Sequence, residues 1–432
     1  MCGDFHWSIV TKATAPRGTF DVLPADAPRW QAVERIIDAA CARFGYGEIR
    51  TPTFESADVF VRTIGAGTDI VDKEMYTFTD RGGRTLALRP EFTAPVVRAA
   101  LEHNLMGSGA LKVCYRGAIF RYERPQKGRY RQAHQWGAEC FNVAGPEADV
   151  EIIALTLDVI RAAGAARYRI ELNSMGCKRC RPTFREALVG FLSRRANELS
   201  GTSAARLKTN PLRILDSKDP SDKAVLSAAP TMDRFLCGAC RNHFEGVQAL
   251  LKAMNVSAEL NPRIVRGLDY YTRTVFEVSS SDLGSQDAVC GGGRYDDLVE
   301  EMGGPSTPAV GVAMGIERLL MLAEASGSRL GEDADRRIDV AFVALDDESV
   351  RSLAPIMNAA RENGIAADMD YSRRKIDKQL RDAGERGAKY AVIVGGDELA
   401  AGEATIQDLA TRARERVKLA DVERTLTARL RA

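Results

Sequence analysis

Residues 111–143 read LKVCYRGAIFRYERPQKGRYRQAHQWGAECFNV. LKVCYRGAIFRYE is rich in β-branched, aromatic and apolar residues and reads as a strand, and AHQWGAECFNV reads as a second. Between them, RYERPQKGRYRQAHQ (121–135) gathers five lysines and arginines against one glutamate. The stretch is therefore a hairpin whose basic loop grows out of two strand roots. Side chains alternate faces along a strand. Arg121 and Glu123 thus point the same way, and Gln135 and Glu139 share a face of the partner strand. Buried together, such groups must be satisfied by one another or by a ligand. A solvated ladder of ion pairs is one solution, and a ligand carrying both phosphate and ammonium is another. The apolar neighbours Ile119, Phe120, Trp136 and Phe141 make a fully wet face the poorer choice.

This concentration of charge is local. The 432-residue chain carries 60 Lys+Arg against 59 Asp+Glu, a formal net charge of +1. That balance argues against a general nucleic-acid coat, so any polyanion must be met by patches. At 45% hydrophobic and 28% charged, the composition is that of a soluble globular protein of two or three domains. No apolar run approaches the ~18 residues that span a bilayer. The start, MCGDFHWSIVTKATAPRG, lacks the basic-then-apolar order of a signal peptide. Residues 1–16 read as a tail, and the protein as cytoplasmic, with no membrane partner.

Nine cysteines in such a protein argue against a disulfide framework. Four form two C-x-x-C pairs, Cys177/Cys180 and Cys237/Cys240. Two such pairs make a tetrahedral zinc site if the fold brings them together. The alternative is reduced thiols in a small helical domain. Residues 181–236 are a long separation for a compact zinc ribbon, so plain thiols are the expectation and no metal ligand is assigned.

Along the chain, PRWQAVERIIDAACARFGYGEIRTPTFE reads as an amphipathic helix, a Gly-punctuated turn and a strand. MYTFTDRGGRTLALRPEFT reads as two short strands joined at Gly82-Gly83, followed by a helix. ADVEIIALTLDVIRAAG is a clear helix. From about 168 to 245 the texture changes to short helical pieces around the cysteine pairs, as expected of an insertion. RGLDYYTRTVFEVSSS, CGGGRYDDLVEEM and PAVGVAMGIERLLMLAE resume a strand, a Gly-rich turn and a strand-to-helix unit. Residues 326–337 are polar and read as a linker. Residues 338–432 then follow a β-α-β-α-β pattern and a last helix, a compact α/β domain with a mainly parallel sheet.

Three further segments carry polar groups resembling those of the hairpin. LRPEFT sets Arg89, Glu91 and Thr93 on alternate positions. RGLDYYT sets Arg266 and Asp269 beside Tyr270 and Tyr271. GVAMGIERLL has two glycines four apart and then Glu317-Arg318 at a helix start. Together, and in this order, these segments resemble the class II aminoacyl-tRNA synthetases. FRYE with its basic loop resembles the second motif of that class, GVAMGIER the third, and YGEIRTPTFE the first. LRPE, ERPQKGRYRQ, RGLDYYT and GGGRYD are similar, more narrowly, to signatures of the histidyl-tRNA synthetase family, over nearly the whole chain. The resemblance implies an α/β protein. Its α+β catalytic domain (17–330) would hold a six-stranded antiparallel sheet with flanking helices and the 168–245 insertion. A C-terminal anticodon-binding domain would occupy 338–432, and the protein would be a homodimer.

The resemblance also implies ATP, Mg²⁺, histidine and tRNA(His) as ligands. Arg266 and Arg121 become the catalytic candidates, because charge grows on the α-phosphate in the transition state and a guanidinium fork matches phosphate oxygens. Arg121, Glu123, Arg129 and Arg318 are placed on ATP. Glu91, Thr93 and Gln135 are placed on the substrate ammonium, Glu139 and Tyr271 on the imidazole, and Tyr270 on the pocket wall. Arg124, Gln126 and Lys127, at the loop tip, are expected to face the tRNA acceptor end. Three residues depart from the family's usual pattern: Phe92 for glycine, Tyr122 for histidine and Ala133 for an aromatic residue. The nearest rival is the paralogue that regulates ATP phosphoribosyltransferase, which typically lacks the anticodon domain. Another is a prolyl or threonyl enzyme of the same class, against which RGLDYYT argues.

Overall fold

The computed structural model describes residues 12–65, 68, 70–107, 109–265, 270–284, 287–331, 338–372 and 374–431. Up to residue 330 the chain builds one unit, from strands β1 (Gly47–Glu48), β2 (Phe54–Ser56), β3 (Thr77–Thr79), β4 (Thr85–Leu88), β5 (Leu111–Phe120), β6 (Gln132–Phe141), β7 (Arg169–Ser174), β8 (Glu259–Leu260), β9 (Thr272–Ser279), β10 (Ala288–Arg294) and β11 (Ala309–Gly315). The opening hairpin is β5–β6, paired from Leu111↔Phe141 to Phe120↔Gln132. It sits inside a sheet of order β1-β5-β6-β11-β10-β9-β7-β8. The six strands from β5 to β7 are antiparallel to their neighbours, as expected, and a two-residue parallel strand is added at each edge.

Period-two alternation decides what each face of this sheet meets. Trp136, Ala138 and Cys140 of β6, with Val310, Val312 and Met314 of β11, face helices Ala27–Arg43, Pro146–Ala162 and Ile316–Ala325 in the larger core. The intervening positions turn to the opposite face, where Phe92, Val113, Tyr115, Phe141, Tyr270, Tyr271 and Tyr295 form a second, more aromatic cluster. Gln135 and Glu139 lie on that second face, two and four residues from Gly137 and Gln135 respectively along the same strand.

β7 is a strand of this sheet, paired with β9, although the sequence puts it at the start of the insertion. The helical pieces after it have their own core, including Cys180, Phe184, Leu188, Leu192, Ile214, Val225, Met232 and Cys240.

The second unit, 331–432, carries β12 (Val340–Ala344), β13 (Ala367–Met369), β14 (Tyr390–Val394), β15 (Glu403–Asp408) and β16 (Arg414–Lys418) in the order β13-β12-β14-β15-β16. The first three strands are parallel. β15 and β16 form an antiparallel hairpin that the sequence does not separate from the final helix. Among the described residues, no helix is long and apolar enough to cross a membrane.

Candidate active site

A cavity of about 410 Å³ opens on the second face of the large sheet. Ten predicted side chains line it: Glu91, Thr93, Arg121, Glu123, Arg129, Gln135, Glu139, Tyr270, Tyr271 and Arg318. Arg266, the eleventh, lies outside the described residues. Arg124, Gln126 and Lys127 are exposed on the loop and are not part of the lining.

Glu139 sits at the floor, 1% exposed. Its Oε1 accepts from the Thr93 hydroxyl at 2.8 Å and the Tyr115 hydroxyl at 2.9 Å, and its Oε2 accepts from the Tyr295 hydroxyl at 2.5 Å. Burial pushes its pKa up to about 7, and the three hydroxyl donors oppose that rise. The carboxylate occupies space that only glycine leaves open opposite: a Cβ on Gly311 would stand 1.5 Å from Oε2. Gln135, 8% exposed, contributes a buried Oε1 with no partner among the described residues. An acceptor left so on a cavity wall calls for a donor from a ligand.

Glu91 is held differently. Its two carboxylate oxygens accept from the backbone N–H groups of Thr93 (2.6 Å) and Ala94 (2.9 Å), at the start of helix Thr93–Glu102. Burial raises its pKa against those bonds. Glu91 thereby fixes the helix terminus that carries Thr93, besides facing the cavity.

The mouth is cationic. Arg121 donates from Nε to the Pro90 carbonyl at 2.8 Å, which orients its fork. The Glu123 carboxylate lies 3.9 Å from Arg121 Nη1 and 3.5 Å from Arg129 Nη1, between the two guanidiniums. Arg318 donates to the Ala288 carbonyl, and burial lowers its pKa, with Arg129 adding to the effect. Its neighbour Glu317 plays a structural part: its Oε1 accepts from the His134 backbone N–H at 2.8 Å and lies 2.9 Å from His134 Nδ1. Both residues of the Glu-Arg pair line the cavity, and Glu317 also fastens the helix to β6.

Among the residues of the site not singled out from sequence are Tyr115, Tyr295 and Arg213. Tyr115 touches the site through Glu139, whereas the other two face the cavity itself. Tyr295 lies within GGGRYD, where the arginine and tyrosine divide the work. Arg294 is fully buried and donates to Asp149, Asp296 and the carbonyls of Val143 and Gly145, while Tyr295 reaches Glu139. Arg213 comes from the insertion, and no local pattern relates it to a cavity on the sheet.

Phe92 does not enter the cavity. It is 1% exposed, stacked on Tyr115 at 4.5 Å with the Arg89 guanidinium 4.0 Å over its ring. Tyr122 is exposed, with Arg131 3.8 Å over its ring and Tyr76 edge-on at 5.7 Å. Ala133 lines the cavity wall.

The large sheet, with six antiparallel strands at its centre, carries arginines and a buried carboxylate over one cavity, and the chain has a separate α/β unit, as the resemblance to the class II aminoacyl-tRNA synthetases implies. A family model described as histidyl-tRNA synthetase matches residues 18–319, and one described as an anticodon binding domain matches residues 339–429. The chain is 46% identical over 408 residues to the histidine–tRNA ligase of Desulforudis audaxviator, covering 94% of this chain and 96% of that one. It is 42% identical over 417 residues to that of Desulforamulus reducens, covering 96% and 99%. The crystal structure of apo S. aureus histidyl-tRNA synthetase matches with a TM-score of 0.80 at 34% identity, covering 96% of this chain and all of that one. The chain belongs to the histidyl-tRNA synthetase family and is a ligase of that kind.

Proposed function

We propose that this cavity activates histidine with ATP and that the chain then esterifies tRNA(His) with it. The observation that supports this reading best is the Glu139 cluster: a buried carboxylate with its donors, below an arginine-lined mouth, with the unpartnered Gln135 Oε1 between. An imidazole N–H donates to Glu139, with Tyr271 serving the other ring nitrogen. The substrate ammonium donates to Gln135 Oε1, beside Thr93 and Glu91. A pocket built on such pairs rejects analogues that lack the ring nitrogens, because its buried groups would be left unpaired.

With histidine so held, its carboxylate faces the cationic mouth. It attacks the α-phosphate of ATP, forming the acyl–phosphate bond as pyrophosphate leaves. Arg121 stabilises the charge that grows on the α-phosphate, and Arg266, by resemblance, meets it from the other side. Arg129 takes the γ-phosphate and Arg318 stacks on adenine, with Glu123 orienting Arg121 and Arg129. Mg²⁺ enters with the nucleotide as part of the substrate, on the β and γ phosphates. The terminal ribose hydroxyl of tRNA then takes the acyl group and AMP leaves.

The remaining features are consistent with this role. Arg124, Gln126 and Lys127 project into solvent from the loop, where an acceptor end can reach them. On the second unit, Lys375, Lys378, Arg381 and Lys389 are exposed cations for an RNA backbone. Arg374 and Arg386 of the same basic segment are instead paired with Asp370 and Asp368, each at 2.6 Å. Phe54 and Phe78, 53% and 43% exposed and edge-on at 6.4 Å, give β2 and β3 an apolar surface suited to a second copy of the chain. A homodimer should appear as twice the chain mass in sedimentation. None of the eight described cysteines is in a disulfide.

Single-turnover kinetics test the chemistry. The wild type should form histidyl-adenylate, and Arg121→Ala should slow that step by ~10²–10³, the scale for one preorganised transition-state donor. Histidine affinity should change far less, because its contacts are on other residues. Normal adenylation by the variant would remove Arg121 from the chemistry, and no adenylate from the wild type would overturn the reading.

A further inference from the structure

We infer that Cys177, Cys180, Cys237 and Cys240 bind one zinc ion that ties together the two ends of the helical insertion. The four sulfur atoms lie within 4.8 Å of one another. Cys177 Sγ is 3.6 Å from Cys180 Sγ and 4.0 Å from Cys237 Sγ. A tetrahedral ion with Zn–S bonds of about 2.3 Å sets its sulfurs roughly 3.8 Å apart, inside the observed range. A disulfide explains less, since it joins two sulfurs at about 2.0 Å and has no use for a second pair. Four thiols with neither carboxylate nor imidazole select a soft, tetrahedral ion.

The backbone is shaped around the sulfurs. Gly176 takes φ +61°, and a Cβ there would stand 2.6 Å from Cys180 Cβ, so the turn into Cys177 admits only glycine. The Cys237 backbone N–H donates to Cys180 Sγ at 3.2 Å, joining the two knuckles directly. Such N–H donors stabilise thiolates and orient them as ligands. Arg179 Nη2 lies 3.9 Å from Cys237 Sγ, and its charge offsets part of the net −2 of one Zn²⁺ and four thiolates. Each thiol releases its proton to solvent as the ion binds. Cys180 and Cys240 are buried while Cys177 and Cys237 are half-buried, which leaves a path of entry from the surface.

The location gives the ion a purpose. Cys180 precedes helix Arg181–Ser193 and Cys237 precedes helix Gly238–Ala253, so the two pairs mark where the chain leaves the large sheet and returns. The core between them is small, and a unit of that size gains from a staple. The knot is also fastened to the sheet, since the Arg273 N–H donates to the Gly176 carbonyl at 2.7 Å and the Met175 N–H to the Arg273 carbonyl at 2.6 Å.

The test uses the full chain, produced in zinc-supplemented medium and dialysed. Elemental analysis should give about one zinc per chain. Stripping with a strong chelator under reducing conditions should lower the melting temperature, and added Zn²⁺ should restore it. Reconstitution of the stripped protein with Co²⁺ should give the intense visible bands of tetrahedral thiolate coordination. The Cys177→Ser/Cys237→Ser double variant should lose the metal. Should that variant fail to fold, the stripped and reconstituted wild type carries the test. A reduced wild type that takes up neither Zn²⁺ nor Co²⁺ would overturn the inference. So would zinc retained by a folded double variant, or a cobalt spectrum without thiolate bands.

Discussion

Glu139 shows how a residue's place in the chain becomes a chemical property. Alternation along β6 turns it to the cavity face, Gly311 opposite leaves it room, and burial raises its pKa to about 7. A carboxyl that keeps its proton longer in the folded state contributes less stability as pH rises, here between its ordinary 4.5 and about 7. Histidine binding should move the other way, strengthening over the same rise as the group becomes a full acceptor. Denaturant melts across that window check the first sign, and titrating histidine in the wild type and in Glu139→Gln checks the second. The ligand's own ionisation is common to the two proteins, so the variant should show the flatter profile, and identical profiles would contradict the role. Phe92 carries a second expectation at this scale. It supports Tyr115, which donates to Glu139, so Phe92→Ala should cost about 3–5 kcal/mol in a denaturant melt, the usual range for a buried phenylalanine. The KM for histidine should rise with it. Glu91, Thr93, Gln135 and Glu139 are legible in sequence because each stands in a short motif. Tyr115 is not, because a tyrosine in a strand gives no sign of the carboxylate it meets on a neighbouring strand.

At the scale of elements, the basic hairpin loop sorts its charge. Arg121 and Arg129 face the cavity, Arg131 lies over the Tyr122 ring, and Arg124 and Lys127 stay in solvent. The loop is pinned by backbone bonds, among them Arg121 N–H to the Arg131 carbonyl, Tyr122 N–H to the Glu74 carbonyl, Arg131 N–H to the Gly18 carbonyl, and the reciprocal bonds of Gln126 and Arg129. Reversing the exposed charges in Arg124→Glu/Lys127→Glu should therefore leave adenylate formation near normal. Transfer to tRNA should weaken by roughly 10-fold or more, given about 1–3 kcal/mol for a lost nucleic-acid contact. Measuring exchange and charging side by side separates the two steps, and equal losses in both would show the loop tip acting on the cavity instead. Hairpin β5–β6 is readable from the outset because its strands are long and its loop is charged. The convergence of the cysteine pairs is not, because residues 181–236 first build a core of their own and only then return. β15–β16 escapes notice for a related reason: its outer strand is mostly charged and exposed, and such a strand shows no apolar alternation.

At the scale of the whole molecule, the chain divides near residue 330 into two units with separate cores, and every described residue of the cavity belongs to the first. A chain ending at Arg329 should keep histidine activation if it stays folded, while its kcat/KM for tRNA should fall by more than about 10²-fold, as several contacts of roughly 1–3 kcal/mol each are lost. Equal charging by the short and full chains would show that the second unit does not bind tRNA. The division itself is legible in sequence, since the polar stretch 326–337 separates two different successions of strands and helices. The central claim, that the Glu139 cavity is made for an imidazole below a site of adenylate chemistry, is tested most directly by ATP–pyrophosphate exchange with each of the twenty amino acids in turn. The account predicts strong exchange with histidine and none above background with the others. Exchange with proline or threonine and not with histidine, or no exchange with any amino acid, would contradict it.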